Sequence, residues 1–502
     1  MAIKIGWAKR DISTTEPVNI NGQMYIRLNE GIHDPIMVTA LVLDGGEDVA
    51  IFVSCDLTSI LGEVISMSRE KVAAKNPAIP VGNILLNATH THSSSATFKT
   101  AETTPDGQRI YPGEQYREFC TDQIAEAVCE AWEKRAEGGI AYGYGYAVVG
   151  HSRRTIYSED QGIANPLSAA PNGFGVMYGN TKKDAFSHYE AGADHFLNVM
   201  FTVDAAQKLT GMIINVPCPS QTSEHFTKLS ADYWHNVRQA VAAEYGPDVF
   251  VLPQCAAGGD LAPRTLHYKQ AQSRRMELKY GLGYALKGMV SNGPEEYKKV
   301  MSERKDIAER IMNGVRDVYG WAMKDIQTDV AVRHVAAQVP LTRRIITDEE
   351  KRQCEENIEL MKALIPDPDT CTPEEYRVAM SKYNSYKNRN LRAIGHYEDI
   401  KTNPKNVYEI HVTQVGEIAF ASNPFELYQD FMHRMQARSP FIQTFITQLA
   451  GGSGQYLPTQ RATFNKGYSA SIYCNQVGPE GGQELVEYTL GVLHDLKTKD
   501  EK

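Results

Sequence analysis

Residues 87 to 95 read Asn87-Ala88-Thr89-His90-Thr91-His92-Ser93-Ser94-Ser95, two histidines two apart at the end of the apolar run Ile84-Leu85-Leu86. That run is too short and too rich in β-formers for a helix, so the pair is expected to leave the tip of a buried strand on one side of it. Two imidazoles so placed can share one metal ion, or one can hold metal while its neighbour moves protons. Surface or capping histidines show the same spacing, so the rest of the chain has to discriminate.

Four further segments put polar groups just after apolar runs. They are Asn215-Val216-Pro217-Cys218-Pro219-Ser220-Gln221-Thr222-Ser223, Gly258-Gly259-Asp260-Leu261-Ala262-Pro263-Arg264, Asn423-Pro424-Phe425-Glu426, and the glycine-rich stretch Gln448-Leu449-Ala450-Gly451-Gly452-Ser453-Gly454-Gln455-Tyr456. A sheet domain builds a site in this way, because rigid strands aim the side chains while loops stay free to vary.

The elements that must position them read as α/β. Residues 37 to 56 form a hairpin of two apolar strands turning at Gly45-Gly46, followed by a helix over about 62–75 and the strand that ends in the histidines. Further strands are expected at 140–149, 198–204, 211–217, 249–252, 408–415 and 418–421, with helices at about 116–135, 230–244 and 481–496. From about 268 to 395 the texture is long, charged and helix-favouring, broken at Pro294 and at Pro366-Asp367-Pro368, and reads as a helical insertion. With no repeat and no low-complexity linker, residues 1–502 read as one elaborated catalytic domain.

With these segments in this order, the chain resembles the neutral/alkaline (non-lysosomal) ceramidase family, in its N-terminal catalytic domain, as a divergent member. The resemblance runs from Gly31-Ile32-His33 through Thr89-His90-Thr91-His92 to the Gly259-Asp260 turn, Glu426 and the tyrosine loop. It implies an α/β fold built on a mixed sheet, without the family's C-terminal immunoglobulin-like domain. It also implies a zinc ion held by two histidines, a glutamate and a tyrosine. Carried over by position, the first histidine falls on His90, the glutamate on Glu426 and the tyrosine on Tyr456. The second histidine of the motif falls on His92 as a proton carrier, a substrate-contacting arginine on Arg153, and a further site tyrosine on Tyr468. His33 and Asp56 also occupy family positions.

This sequence departs from the pattern twice. The family's second histidine ligand falls on Ser220, and the serine of its Gly-Asp-x-Ser-Pro turn falls on Ala262. A catalytic zinc normally keeps three protein ligands, so a substitute is expected from the following stretch. His235 is the first choice, with His225 and Asp232 behind it. Local readings exist for several of these residues. Glu426 and Asp260 can serve helix starts or turns, and His235 can pack on a helix face beside Trp234.

Composition narrows the function classes. Of 502 residues 42% are hydrophobic and 23% charged, which excludes disordered and fibrous chains. A net charge of -9 with no basic stripe gives nucleic-acid binding no support. Too little apolar sequence precedes Lys9-Arg10 for a signal peptide, and no stretch reaches membrane-spanning length, so a cytoplasmic location is expected. Eight scattered cysteines without a Cys-x-x-Cys pair suit neither a disulfide framework nor a thiolate zinc site. The expectation is therefore a zinc-dependent hydrolase that cleaves an amide of a small polar or acylated substrate by metal-activated water. The alternatives are a carbohydrate-active enzyme, glycoside hydrolase or lyase, on the same metal, and a metal-free ligand-binding pseudoenzyme. Sequence assigns no oligomeric state.

Overall fold

Alternation along the strands dictates two buried faces. In Met37–Asp44, Val38, Ala40 and Val42 face one way and Leu41 and Leu43 the other; in Val49–Cys55, Ile51 and Val53 oppose Ala50 and Phe52. A strand apolar on both faces must be covered on both. The computed structural model, which describes residues 2–162, 173–281 and 294–499, shows how.

An eight-stranded mixed sheet runs in the order Phe250–Cys255, Leu209–Val216, Phe196–Asp204, Ala136–Tyr146, Lys4–Asp11, Met37–Asp44, Val49–Cys55, Ile84–Ala88. The last two strands are parallel, as are the first two, and the others pair antiparallel. A second sheet runs Val332–Thr342, Lys405–Val415, Ile418–Ser422, Gln443–Thr447, its final pair parallel. The two sheets meet through one core in which Phe52, Phe420 and Phe445 stack, with Trp7, Leu41, Leu85 and Leu252 around them.

Helices close the outer faces. Gly62–Lys75 and Gly113–Glu133 cover one half of the large sheet, and Tyr233–Tyr245 with Pro294–Ala322 cover the other. Gln429–Arg438 and Pro479–Thr498 cover the second sheet. The result is a helix–sheet–sheet–helix sandwich, the α/β class expected from the sequence. Among the described residues no helix is long and apolar enough to cross a membrane, and none of the eight cysteines is in a disulfide.

The block from 268 to 395 differs from its sequence reading. Lys269–Tyr280, Pro294–Ala322, Asp348–Met361 and Pro373–Asp399 are helices, but Val332–Thr342 is an eleven-residue strand. Its partner is Lys405–Val415, paired along the whole length. Pro340 with exposed Ala336 and Gln338, and polar Arg333 and His334 at the strand's start, blur the alternation there. Pro294–Ala322 is no excursion either: Ile307, Ile311, Val315 and Val318 are core residues. Residues 282–293 of this block lie outside the described residues.

Candidate active site

The C-terminal ends of the parallel strand pairs open at one place. Ala88 N–H donates to Leu449 O, Gln448 N–H to Cys255 O, and Ala256 N–H to Val216 O, which tie the strand-end loops together. His90 follows the first of these strands with a left-handed φ of 62°, a conformation that costs a non-glycine residue about 1–2 kcal/mol. Its Nδ1 lies 2.6 Å from the Thr58 carbonyl oxygen. A carbonyl only accepts, so Nδ1 carries a proton and fixes the tautomer.

His90 Nε2 therefore faces inward, where a carboxylate and a second imidazole meet it. Glu426 Oε2 is 3.4 Å away and His92 Nε2 is 3.3 Å away. The two rings stand edge to face at 85° with centroids 4.8 Å apart. His92 Nδ1 has no hydrogen bond but lies 3.6 Å from Glu224 Oε2, and Glu224 is held in turn by Arg264 Nη1 at 2.6 Å. Burial, reinforced by His90, holds the His92 imidazole well below its ordinary value.

Glu426 and Tyr456 face each other on a short parallel ladder, with Glu426 N–H donating to Gln455 O. The Gly258-Gly259 turn lets this ladder approach: a Cβ on Gly259 would stand 2.3 Å from the Glu426 carbonyl oxygen. Burial opposes ionisation of Glu426, yet His90, Arg153 and Tyr456 outweigh it and keep the carboxyl below its usual value. Arg153, 3% exposed, spans the group. Its Nη2 donates to Gly259 O at 2.9 Å and to Tyr456 Oη at 3.3 Å and lies 3.7 Å from Glu426, while Nη1 donates to Tyr178 Oη. Burial and the Glu426 charge push the Tyr456 hydroxyl well above its usual value, so it is neutral. Tyr468 packs edge to face on Tyr456 at 5.7 Å.

The structure thus brings together His90, His92, Glu426, Tyr456, Arg153 and Tyr468. His235 is not among them. It sits in the first turn of Tyr233–Tyr245 among Asp34, Arg304, Arg238 and Asp56, and burial lowers its pKa. Asp232 caps that helix, accepting from Tyr233 N–H and Ser223 N–H, and His225 stays at the rim near Tyr25 and Glu224. Ser220 has become a brace: its Oγ donates to Thr89 O at 2.6 Å and its carbonyl accepts from His92 N–H. Asp260 accepts from the backbone and side chain of Gln429 at the start of Gln429–Arg438, and burial raises its carboxyl to about 6. Asp56 receives Thr89 Oγ1 and a bidentate Arg238, and His33 packs between Phe226 and Tyr297.

Sequence reasoning missed Glu224, Arg27 and Gly22. Arg27 clamps the loop, donating to His92 O at 2.6 Å and to the carbonyls of Asn21, Glu224 and Phe226. Gly22 has φ 108°, and a Cβ there would lie 2.6 Å from His92 Cβ and Cγ. An isolated glycine among polar residues is the only signal that could have marked it. Among the described residues no three His, Cys, Asp or Glu side chains form a metal-binding group by themselves. The donors here meet pairwise at His90, with a tyrosine as the additional oxygen.

No family model and no curated protein matches the chain. Among solved structures it is similar to the neutral ceramidase from Pseudomonas aeruginosa, with a TM-score of 0.65 and 17% identity over 99% of this chain and 75% of that one. It is also similar to a ceramidase complexed with C2, at TM-score 0.64 and 16% identity over 99% and 76% of the two chains. The fold is therefore neutral-ceramidase-like, as the motif order implies.

Proposed function

We propose that this chain is a zinc-dependent amidohydrolase in which His90, His92 and Glu426 are the protein donors, Tyr456 borders the fourth side, and His92 replaces the family histidine missing at Ser220. The observation that carries this reading is the inward face of His90 Nε2. Nδ1 is held by the Thr58 carbonyl, which leaves Nε2 facing a carboxylate oxygen at 3.4 Å and a second imidazole nitrogen at 3.3 Å. Two imidazole nitrogens and a carboxylate oxygen gathered at one point are the donor types that a divalent cation takes. His90, with Glu426 and His92 each within 3.4 Å of its Nε2, would hold such an ion, with the Tyr456 hydroxyl beside it.

Zinc would supply polarisation of the scissile carbonyl and activation of the attacking water. The chain's own residues do the rest. Thr58 O and Glu224 Oε2 face the Nδ1 atoms of the two histidines and orient both rings with Nε2 inward. Arg153 Nη2 steers the neutral Tyr456 hydroxyl, which stands ready to stabilise the oxyanion that develops as water adds to the carbonyl. Breaking the C–N bond, with one proton of the added water passing to the leaving nitrogen, then releases a carboxylic acid and an amine. Ceramide is itself an N-acyl compound, so likeness to ceramidases supports an amide over a glycoside. A small acylated substrate and a cytoplasmic setting remain parts of this reading.

Metal analysis of protein purified without chelator, run beside a panel of N-acyl and glycoside substrates, tests it. About one zinc per chain and release of amine from N-acyl compounds are expected; less than about 0.2 metal per chain, or glycoside cleavage alone, overturns it.

A further inference from the structure

The helix Pro373–Asp399 lies across the mouth of the candidate site. Ser385 Oγ approaches Met24 Sδ at 3.9 Å, and Lys382 sits over Tyr25 at 5.4 Å, on the strap that begins at Gly22. One turn on, Arg389 Nη2 donates to Tyr468 Oη at 3.1 Å, with the guanidinium 5.1 Å from the Tyr468 ring centre. Residues 382, 385, 389 and 392 recur on one helical face. That face therefore bridges the His92 side and the Tyr468 side of the site.

The charge on this face is uncompensated. Arg154 pairs with Glu190, Arg304 with Asp34 and Arg153 with Glu426, whereas Arg27 and Arg344 spend their N–H groups on carbonyl and amide oxygens. Arg389 Nη1 is buried without a hydrogen-bond partner, and neither Arg389 nor Arg392 makes an ion pair among the described residues. Partial loss of solvent, followed by the charge of Arg389, pushes Arg392 below its ordinary value. A half-buried, forked guanidinium with an unpaired N–H beside a second, exposed cation suits a planar or tetrahedral oxyanion. The path from it to Tyr456 is two aromatic contacts, 5.1 and 5.7 Å, a span that a short linker in a substrate can cross.

We propose that the substrate carries an oxyanion, carboxylate or phosphate, held by Arg389 and Arg392 on the Tyr468 side while its acyl–nitrogen bond lies at His90 and Glu426. This rests on the amidohydrolase reading for the position of the bond, but not for the anion site itself. The substrate class is thus N-acylated amino acids or N-acylated phospho-amines rather than neutral N-acyl alcohols.

Calorimetry on the full chain as purified tests this with non-cleavable probes, the ketone isosteres of N-octanoylglycine and of N-octanoyl phosphoethanolamine. Each is paired with its neutral counterpart, the carboxamide and the free alcohol. One anionic probe should bind about ten-fold or more tightly than its counterpart, and which probe does so identifies the source of the oxyanion. Arg389→Gln and Arg392→Gln should each remove most of that preference while neutral probes bind unchanged. Arg392 is exposed, so its variant keeps the test alive if Arg389→Gln fails to fold. Equal binding of anionic and neutral probes, or a preference that survives both substitutions, overturns the proposal. Zinc and amide cleavage without an anion preference refutes this inference alone; an anion preference in protein that neither binds zinc nor cleaves refutes the hydrolase reading alone.

Discussion

Replacing Gly22 by alanine probes how His92 is held. The glycine has φ 108°, and a Cβ there would stand 2.6 Å from His92 Cβ and Cγ and 2.8 Å from its Cα. The left-handed backbone costs an L-residue about 1–2 kcal/mol. Forcing a methyl into a packed contact costs about 1–3 kcal/mol more, so a rigid site would lose about 2–5 kcal/mol. The strap cannot simply retreat, because Arg27 ties Asn21 O and His92 O to one guanidinium. Relief must come from moving His92, whose Nε2 then leaves His90. Urea unfolding should show a loss of at least about 2 kcal/mol, and zinc competition titration a weakening of about ten- to hundred-fold, the scale seen when a ligand's support is disturbed. A variant with stability within about 0.5 kcal/mol of the parent and undiminished zinc affinity would refute the claim that Gly22 sets the His92 position.

Other substitutions separate structure from chemistry. Ser220→Ala removes the 2.6 Å bond to Thr89 O and should cost about 1–2 kcal/mol in urea unfolding while zinc content stays near that of the parent; loss of zinc at unchanged stability contradicts its role as a brace. His235→Ala should leave zinc content unchanged by mass spectrometry, since it sits in the first turn of Tyr233–Tyr245 with Asp34, Arg304 and Asp56 as its charged neighbours; loss of metal would restore it as a ligand. Asp260 supplies a pH signature. Its folded carboxyl is raised by burial to about 6 from 3.8, so folding takes up a proton between these values. Its stabilising contribution is complete below about pH 4 and is lost as pH rises through 6, by about 3 kcal/mol at about 1.4 kcal/mol per unit. The stability difference between parent and Asp260→Asn should shift by that amount from pH 4 to pH 7, in favour of the variant; a pH-independent difference refutes the raised value.

What could be read from the sequence follows from range of interaction. Hairpin and strands announced themselves because Val38, Ala40 and Val42 alternate with Leu41 and Leu43, a local pattern that burial on two faces imposes. The strand Val332–Thr342 did not, since Pro340 and its half-exposed face hide the alternation and its order depends on pairing with Lys405–Val415. The same division holds at the site. His90, Glu426, Tyr456 and Arg153 follow strand ends and were legible with their motifs. Proximity in the chain points to His235 as the substitute for Ser220, but the structure puts His235 on another helix, whereas His92 neighbours His90 and is held there by contacts from Gly22, Arg27 and Glu224. Arg389 reaches Tyr468 from a helix 79 positions away, beyond any local pattern.

Crystals of the full chain grown with zinc, measured above and below the zinc absorption edge, test the central claim most directly. The account predicts one anomalous peak with His90 Nε2, His92 Nε2 and a Glu426 oxygen each at about 2.0–2.2 Å. A peak that His92 does not touch, or no peak between His90 and Glu426, would contradict it.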